Sequence, residues 1–128
     1  MSCLKLSKSK EEYLKTVYIL HIKSGYVRSV DIAKYLGVTK AGVSAAVKHL
    51  RNSGYLVVDY MGCVSLSEKG RRPAFKLYER YIFLIRFLCK IGVPKEIAVK
   101  DACLIEHYIS DESYERLKVI INNIVIII

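Results

Sequence analysis

The chain has 128 residues, of which 52% are hydrophobic and 26% charged, a composition that predicts a folded core and excludes a disordered polar chain. The closing run of five aliphatic residues is too short for a membrane span, and the opening residues lack the apolar stretch of a secretory signal, so we expect a cytoplasmic protein. The net charge is +9. Residues 1–72 hold 13 basic and 5 acidic side chains, whereas residues 73–128 hold 8 and 7, so the N-terminal part favours a polyanion such as nucleic acid.

Hydrophobic spacing and capping residues predict three helices in the first half of the chain. The first covers residues 10–23, the second begins at the capping residue Ser29, and the third begins after Thr39. Gly37 permits a tight turn between the second and third helices. A helix-turn-helix needs a small residue, a turn former and a buried aliphatic residue at fixed places. Here those places are held by Ala33, Gly37 and Val43.

A hairpin and further helices follow. Strand-forming residues in the segment 55–66 flank a turn at residues 61–62, which predicts a two-stranded wing. Ser67 can cap the next helix. Gly70 and Pro73 predict an irregular first turn of this helix, followed by a long apolar-rich run over residues 74–91. Two more helices complete the chain, and the β-branched tail is compatible with either helix or strand.

This order of elements predicts a mainly α fold with a small β-hairpin. We expect a winged helix-turn-helix domain that binds DNA in residues 1–72 and a helical domain in residues 73–128. The outer face of the third helix and the basic side chains around it are candidate contacts to double-stranded DNA. We expect Arg28, Lys34 and Arg51 to contact phosphates. The alternative is that these side chains only form a solvated charged surface. The candidate residues are Arg28, Lys34, Thr39, Lys40, Ser44, Lys48 and Arg51.

Cys103, Glu106 and His107 are spaced i, i+3 and i+4 on the predicted fifth helix, so their side chains project from one face within one turn. Sulfur, oxygen and nitrogen donors together suit iron, nickel, cobalt or zinc, whereas magnesium and calcium prefer oxygen alone. A fourth ligand must come from elsewhere, and Glu11 and Glu12 of the first helix are the candidates. The alternative is that the cysteine and histidine are ordinary core residues.

With these motifs the chain resembles the iron-dependent repressor family, of the diphtheria toxin repressor and manganese transport regulator type. Members are homodimeric, metal-activated repressors with a winged-helix DNA-binding part and a helical part that holds metal and dimerises. The resemblance implies the short form without an additional C-terminal domain. The segments that carry it are Glu12–Tyr18, Asp31–Ala33, Val43–Ser44, Leu66–Gly70, Ile91–Val93 and Cys103–Ser110.

The resemblance also implies a metal site with ligands on the first and fifth helices. Its implied ligands are Glu12, Cys103, Glu106 and His107. The cysteine matches the iron-responsive branch, because the manganese branch has a carboxylate at that position. Lys15 stands where the manganese branch has a second carboxylate, and Tyr81 stands where members commonly place a histidine. The second metal site of the family is therefore expected to be absent.

The sequence thus predicts a dimeric repressor that binds operator DNA when a divalent transition metal occupies this site, with Fe²⁺ favoured over Mn²⁺, Zn²⁺, Ni²⁺ and Co²⁺. The alternative is a winged-helix regulator with a degenerate metal site, or one in which Cys63, Cys89 or Cys103 senses oxidants. No nucleophile and base pair or phosphate-binding glycine loop is evident, so an enzyme is not expected. Apolar residues beyond the needs of a small core predict a subunit interface. They are Ile82, Phe83, Leu84, Phe87, Leu88, Leu117, Ile120 and Ile121.

Overall fold

A computed structural model describes residues 8–127 of the chain, with side chains for residues 8–122. Within that range the elements are α1 (Lys8–Ser24), α2 (Ser29–Leu36), α3 (Lys40–Asn52), β1 (Leu56–Val58), β2 (Val64–Leu66), α4 (Glu68–Lys90), α5 (Lys95–Tyr108) and α6 (Asp111–Ile127). This order confirms the mainly α fold with one hairpin. None of the described helices combines the length and hydropathy that a bilayer crossing requires. The chain forms two compact units, whose boundary lies between Tyr78 and Glu79.

The first unit has a core of three helices and the hairpin. Leu14 of α1, Ile32 of α2 and Leu50 of α3 are buried and pack into one hydrophobic cluster together with Leu56 and Val64 of the strands. The two strands pair antiparallel, with Val58 opposite Val64. The side chains of Leu56 and Val64 belong to the same buried cluster as the helix residues. Removal of this apolar surface from water, at about 25 cal/mol per Å², stabilises the unit.

The turn between α2 and α3 has the geometry that a helix-turn-helix needs. Gly37 adopts a left-handed conformation with a φ of 69°, and its N–H donates to the Ala33 carbonyl at 2.9 Å. The Thr39 hydroxyl accepts the Gly42 N–H at 3.1 Å and caps α3 as predicted. Ala33 and Val43 are buried. The small residue, the turn and the aliphatic residue therefore take the places that the sequence assigned to them.

Helix α4 begins directly after Ser67, the predicted cap. It is continuous from Glu68, so the prediction of an irregular first turn around Gly70 and Pro73 is wrong. The Ser67 hydroxyl accepts the Gly70 N–H at 3.1 Å and caps the helix. Pro73 removes one helical hydrogen bond near the start of the helix. The cap and the packing of this first turn against the hairpin outweigh that loss.

The second unit consists of the end of α4 with α5 and α6. Leu84, Ala98 and Ala102 are buried there, and the Phe83 ring meets the Tyr114 ring edge to face with centroids 5.4 Å apart. The prediction that Leu84 belongs to a subunit interface is wrong, because its side chain is buried within the chain itself. The tail is helical through residue 127, which decides the choice that the sequence left open.

A buried arginine holds the turn between α5 and α6. Arg80 donates to the Ile109 carbonyl at 2.8 Å and forms an ion pair with Asp111. Its guanidinium also lies 4.9 Å from the centroid of the Tyr114 ring, and burial raises the pKa of the Tyr114 hydroxyl. The contacts of Arg80 with Ile109 and Asp111 thus hold the turn from α5 to α6. No local sequence pattern predicts them, because Arg80 is distant from both residues in the chain.

Candidate metal centre and DNA-binding surface

Helix α5 carries the three C-terminal candidate ligands. Cys103 and His107 are half-buried, and Glu106 is buried with 1% of its surface exposed. The Cys103 Sγ and a Glu106 carboxylate oxygen lie within 4.8 Å of each other. Metal bonds to sulfur and oxygen measure about 2.3 and 2.1 Å, so small side-chain rotations would let both atoms contact one ion. A buried carboxylate requires compensating charge or hydrogen bonds, and a divalent cation is one source of such charge.

Helix α1 contributes a carboxylate next to a buried cation. Glu12 is half-buried, and Lys15, one turn further along, is almost fully buried. The Lys15 Nζ lies 3.2 Å from a Glu12 carboxylate oxygen. Glu11, the other candidate, is also half-buried. The i, i+3 spacing of Glu12 and Lys15 is a usable signal for this ion pair, but the pair was not among the predictions from the sequence.

The donor types fit a divalent transition metal. A thiolate is a poor ligand for magnesium or calcium, whereas iron, zinc, nickel and cobalt accept sulfur, carboxylate and imidazole together. No disulfide joins Cys63, Cys89 and Cys103, the cysteines of the described segment. The Cys103 sulfur is therefore present as a thiol, the form that can deprotonate and bind a metal.

The seven candidate DNA contacts are all exposed side chains of the first unit. Four lie on α3, whose opposite face is buried, and the hydroxyl of Thr39 starts that helix by capping it. A polar outer face on a helix locked to the core by its apolar face is what insertion into a major groove requires. The four residues on α3 are Lys40, Ser44, Lys48 and Arg51.

Arg28 links α2 to the wing. Its backbone N–H donates to the Asp31 carboxylate at 2.9 Å, so Arg28 is the N-cap of α2 and the prediction that Ser29 caps this helix is wrong. Its guanidinium Nη1 donates to the Met61 carbonyl at 2.8 Å, and its backbone forms an isolated bridge with Cys63. The Arg28 side chain, a predicted phosphate contact, therefore positions the wing.

The tip of the wing is an ordered turn that projects an aromatic ring. One Asp59 carboxylate oxygen accepts the N–H groups of Met61 and Cys63 at 2.8 and 2.9 Å. Between them the Tyr60 side chain is 96% exposed. The exposure of Tyr60 could not be predicted from the sequence, because strand periodicity alone does not locate the apex of a turn.

Arg28→Ala should lower DNA affinity by about tenfold, because the Met61 carbonyl loses its donor and the wing loses its fixed position. Fluorescence anisotropy with a DNA duplex measures the affinity, and hydrogen exchange of the wing amides measures its order. Arg28→Lys keeps the positive charge without the fixed guanidinium fork. If the lysine variant retains full affinity and normal wing protection, the positioning role is wrong.

Two family models match the chain in succession. The model described as "Iron dependent repressor, N-terminal DNA binding domain" matches residues 5–62, and "Iron dependent repressor, metal binding and dimerisation domain" matches residues 67–125. The chain belongs to the iron-dependent repressor family. The family resemblance seen in the sequence is thereby confirmed, and so is the expectation that the protein is not an enzyme, because members of the iron-dependent repressor family are metal-dependent transcriptional regulators.

Named members of the iron-dependent repressor family are similar in sequence and in fold. The HTH-type transcriptional regulator MntR of Lysinibacillus sphaericus is 35% identical over 109 residues, which are 85% of this chain and 78% of that protein. The structure of the manganese regulator SloR has a TM-score of 0.78 with 29% identity, covering 88% of this chain and 53% of that one. A manganese-dependent transcriptional repressor in complex with manganese has a TM-score of 0.77 with 26% identity, covering 86% and 51%. This chain spans about half the length of these two solved chains.

Proposed function

We propose that this protein is a homodimeric repressor that binds operator DNA when a divalent transition metal is held by Glu12, Cys103, Glu106 and His107. The observation that carries the proposal is the buried Glu106 carboxylate beside the Cys103 thiol on α5. When bound, the ion supplies positive charge that balances the carboxylates and the thiolate. Membership of a family whose second domain binds metal and dimerises supports the same assignment.

Among the candidate metals we favour Fe²⁺. The Cys103 thiolate is a soft ligand, and soft ligands prefer iron or zinc to manganese. Mn²⁺, Zn²⁺, Ni²⁺ and Co²⁺ are weaker candidates for the same donors. Several relatives carry manganese in their names, so a direct comparison of Fe²⁺ with Mn²⁺ is the informative one.

We assign DNA binding to residues 1–72 and metal binding with dimerisation to residues 73–128. Glu12 shares its unit with the recognition helix α3, whereas the other three ligands belong to the second unit. Because ligands come from both parts of the chain, a bound metal would favour one arrangement of the two recognition helices in the dimer. A coupling free energy of about 1 to 3 kcal/mol between metal binding and DNA binding is enough to regulate DNA affinity. Large exposed apolar side chains of the second unit offer a dimer surface, namely Ile97, Leu104, Ile105, Tyr108, Val119 and Ile120.

The proposal is tested by the metal dependence of DNA affinity. An operator duplex, selected from random-sequence DNA, is titrated with metal-free protein and with protein loaded anaerobically with Fe²⁺ or with Mn²⁺. We expect Fe²⁺ to raise the affinity by about tenfold or more. Equal affinity in the presence of a chelator would indicate a constitutive DNA binder. Affinity that responds to peroxide but not to metal would indicate a cysteine redox sensor instead.

The proposed contacts of α3 can be tested by salt dependence. Lys48→Ala and Arg51→Ala should each weaken DNA binding, and Arg51→Ala should also reduce the slope of log affinity against log salt by about 0.9, because one phosphate contact is lost. Lys95→Ala is a matched control, since it removes the same charge from an exposed position in the second unit. If the control reduces the slope as much as the α3 variants do, DNA does not contact this face of α3.

A further inference from the structure

We propose that the ammonium group of Lys15 is a built-in cation of the metal centre. It takes the place of a second metal ion, limits the centre to one divalent ion per protomer and lowers the affinity for that ion. This inference rests on the proposed function, because it requires Glu12 to be a metal ligand. The family resemblance implies that a second metal site is absent, and this inference adds the role of the buried Lys15 charge and its effect on the affinity for the first ion.

The position of the Lys15 charge is unusual. The side chain is only 2% exposed, and its Nζ lies 3.2 Å from a carboxylate oxygen of Glu12, whose side chain is 21% exposed. Its neighbours in the chain, Leu14 and Thr16, are also buried. An ammonium group away from water keeps its charge only beside an anionic partner. The Lys15 charge is therefore shielded from solvent, unlike the charges of exposed surface pairs, which contribute little to stability.

The consequence follows from the charges of the groups. An ammonium has three N–H donors and no lone pair, so Lys15 cannot be a ligand. The carboxylates of Glu12 and Glu106 and the thiolate of Cys103 would carry three negative charges, of which the ammonium offsets one. One divalent ion balances the remainder, and a second would leave excess positive charge in a poorly solvated region. The ammonium also competes with the first ion for the Glu12 carboxylate.

Metal stoichiometry and affinity test the inference on the full-length protein. Isothermal titration with Mn²⁺, and anaerobically with Fe²⁺, should give one ion per protomer for the wild type. Lys15→Met keeps much of the side-chain volume but removes the charge, and it should bind the ion about tenfold more tightly or better. The metal-induced rise in melting temperature should be correspondingly larger for this variant. Lys15→Glu supplies an additional carboxylate and should allow a second ion to bind. Lys23→Met, which removes an exposed charge from the same helix, should behave as the wild type.

The possible outcomes separate this inference from the proposed function. Two ions per protomer in the wild type would overturn the role of Lys15 and leave the ligand assignment intact. This measurement does not depend on whether a variant folds. A single ion bound with equal affinity by the wild type, Lys15→Met and Lys23→Met would also overturn the role of Lys15. If neither the wild type nor Lys15→Met binds metal, the proposed function itself fails. Tighter binding in Lys15→Met but not in Lys23→Met supports the built-in cation.

Discussion

Glu106→Gln should lower metal affinity by more than about 100-fold and eliminate the response of DNA binding to metal. Loss of groups that only support a ligand already costs about 10- to 100-fold, and here a charged ligand itself is removed. Glutamine has nearly the same shape and keeps a side-chain oxygen that can accept a hydrogen bond. The metal-free protein should therefore stay folded and retain the weak DNA affinity that the wild type shows in chelator.

Isothermal titration with Fe²⁺ and DNA-binding anisotropy measure the two effects of this substitution. Glu96→Gln is the matched control, because it makes the same change at an exposed position in the first turn of α5. The control should bind metal and DNA as the wild type does. A heat of metal binding that persists undiminished in Glu106→Gln would show that the ligand set is wrong.

Gly70→Ala should destabilise the protein by about 2 to 4 kcal/mol, although alanine is ordinarily the better helix former by about 1 kcal/mol. A Cβ at this position would lie 2.2 Å from the backbone carbonyl oxygen of Tyr55. That oxygen accepts the Ser67 N–H at 3.0 Å, so it cannot retreat without disturbing the junction between the hairpin and α4. A glycine is required at residue 70 because the Tyr55 backbone lies so close to it, and not because the chain turns there.

Urea denaturation followed by circular dichroism measures the change in the free energy of unfolding. Gly42→Ala is the control, since it also places a methyl group on a helical glycine, but its nearest neighbour is the Thr39 hydroxyl at 3.2 Å, a side-chain atom that can move. We expect a change within about 1 kcal/mol for this control. If the two variants are equally stable, the contact with the Tyr55 carbonyl does not limit residue 70.

Most of the helix-turn-helix could be predicted because its signals are local. The Thr39 cap and the left-handed Gly37 depend on neighbours within four residues, and the apolar face of α3 follows from helical periodicity. The Ser67 cap of α4 could be predicted, but the regular first turn of that helix could not. Gly70 and Pro73 are helix breakers by propensity, and only packing against the hairpin explains why they lie within a helix.

The same distinction holds for the candidate metal centre. The spacing of Cys103, Glu106 and His107 on one turn follows from the sequence, because helix geometry is a local property. The near-complete burial of Glu106 and Lys15 does not, because burial depends on which distant segments cover a residue.

The family, the order of the elements, the basic N-terminal half and the types of candidate metal donor could all be predicted from the sequence. The packed structure was needed to show that Leu84 lies in the core, that the Arg28 guanidinium contacts the wing and that a lysine is buried beside Glu12. The physical reason is that propensity and periodicity act over a few residues, whereas desolvation and side-chain contacts are set by segments far apart in the chain.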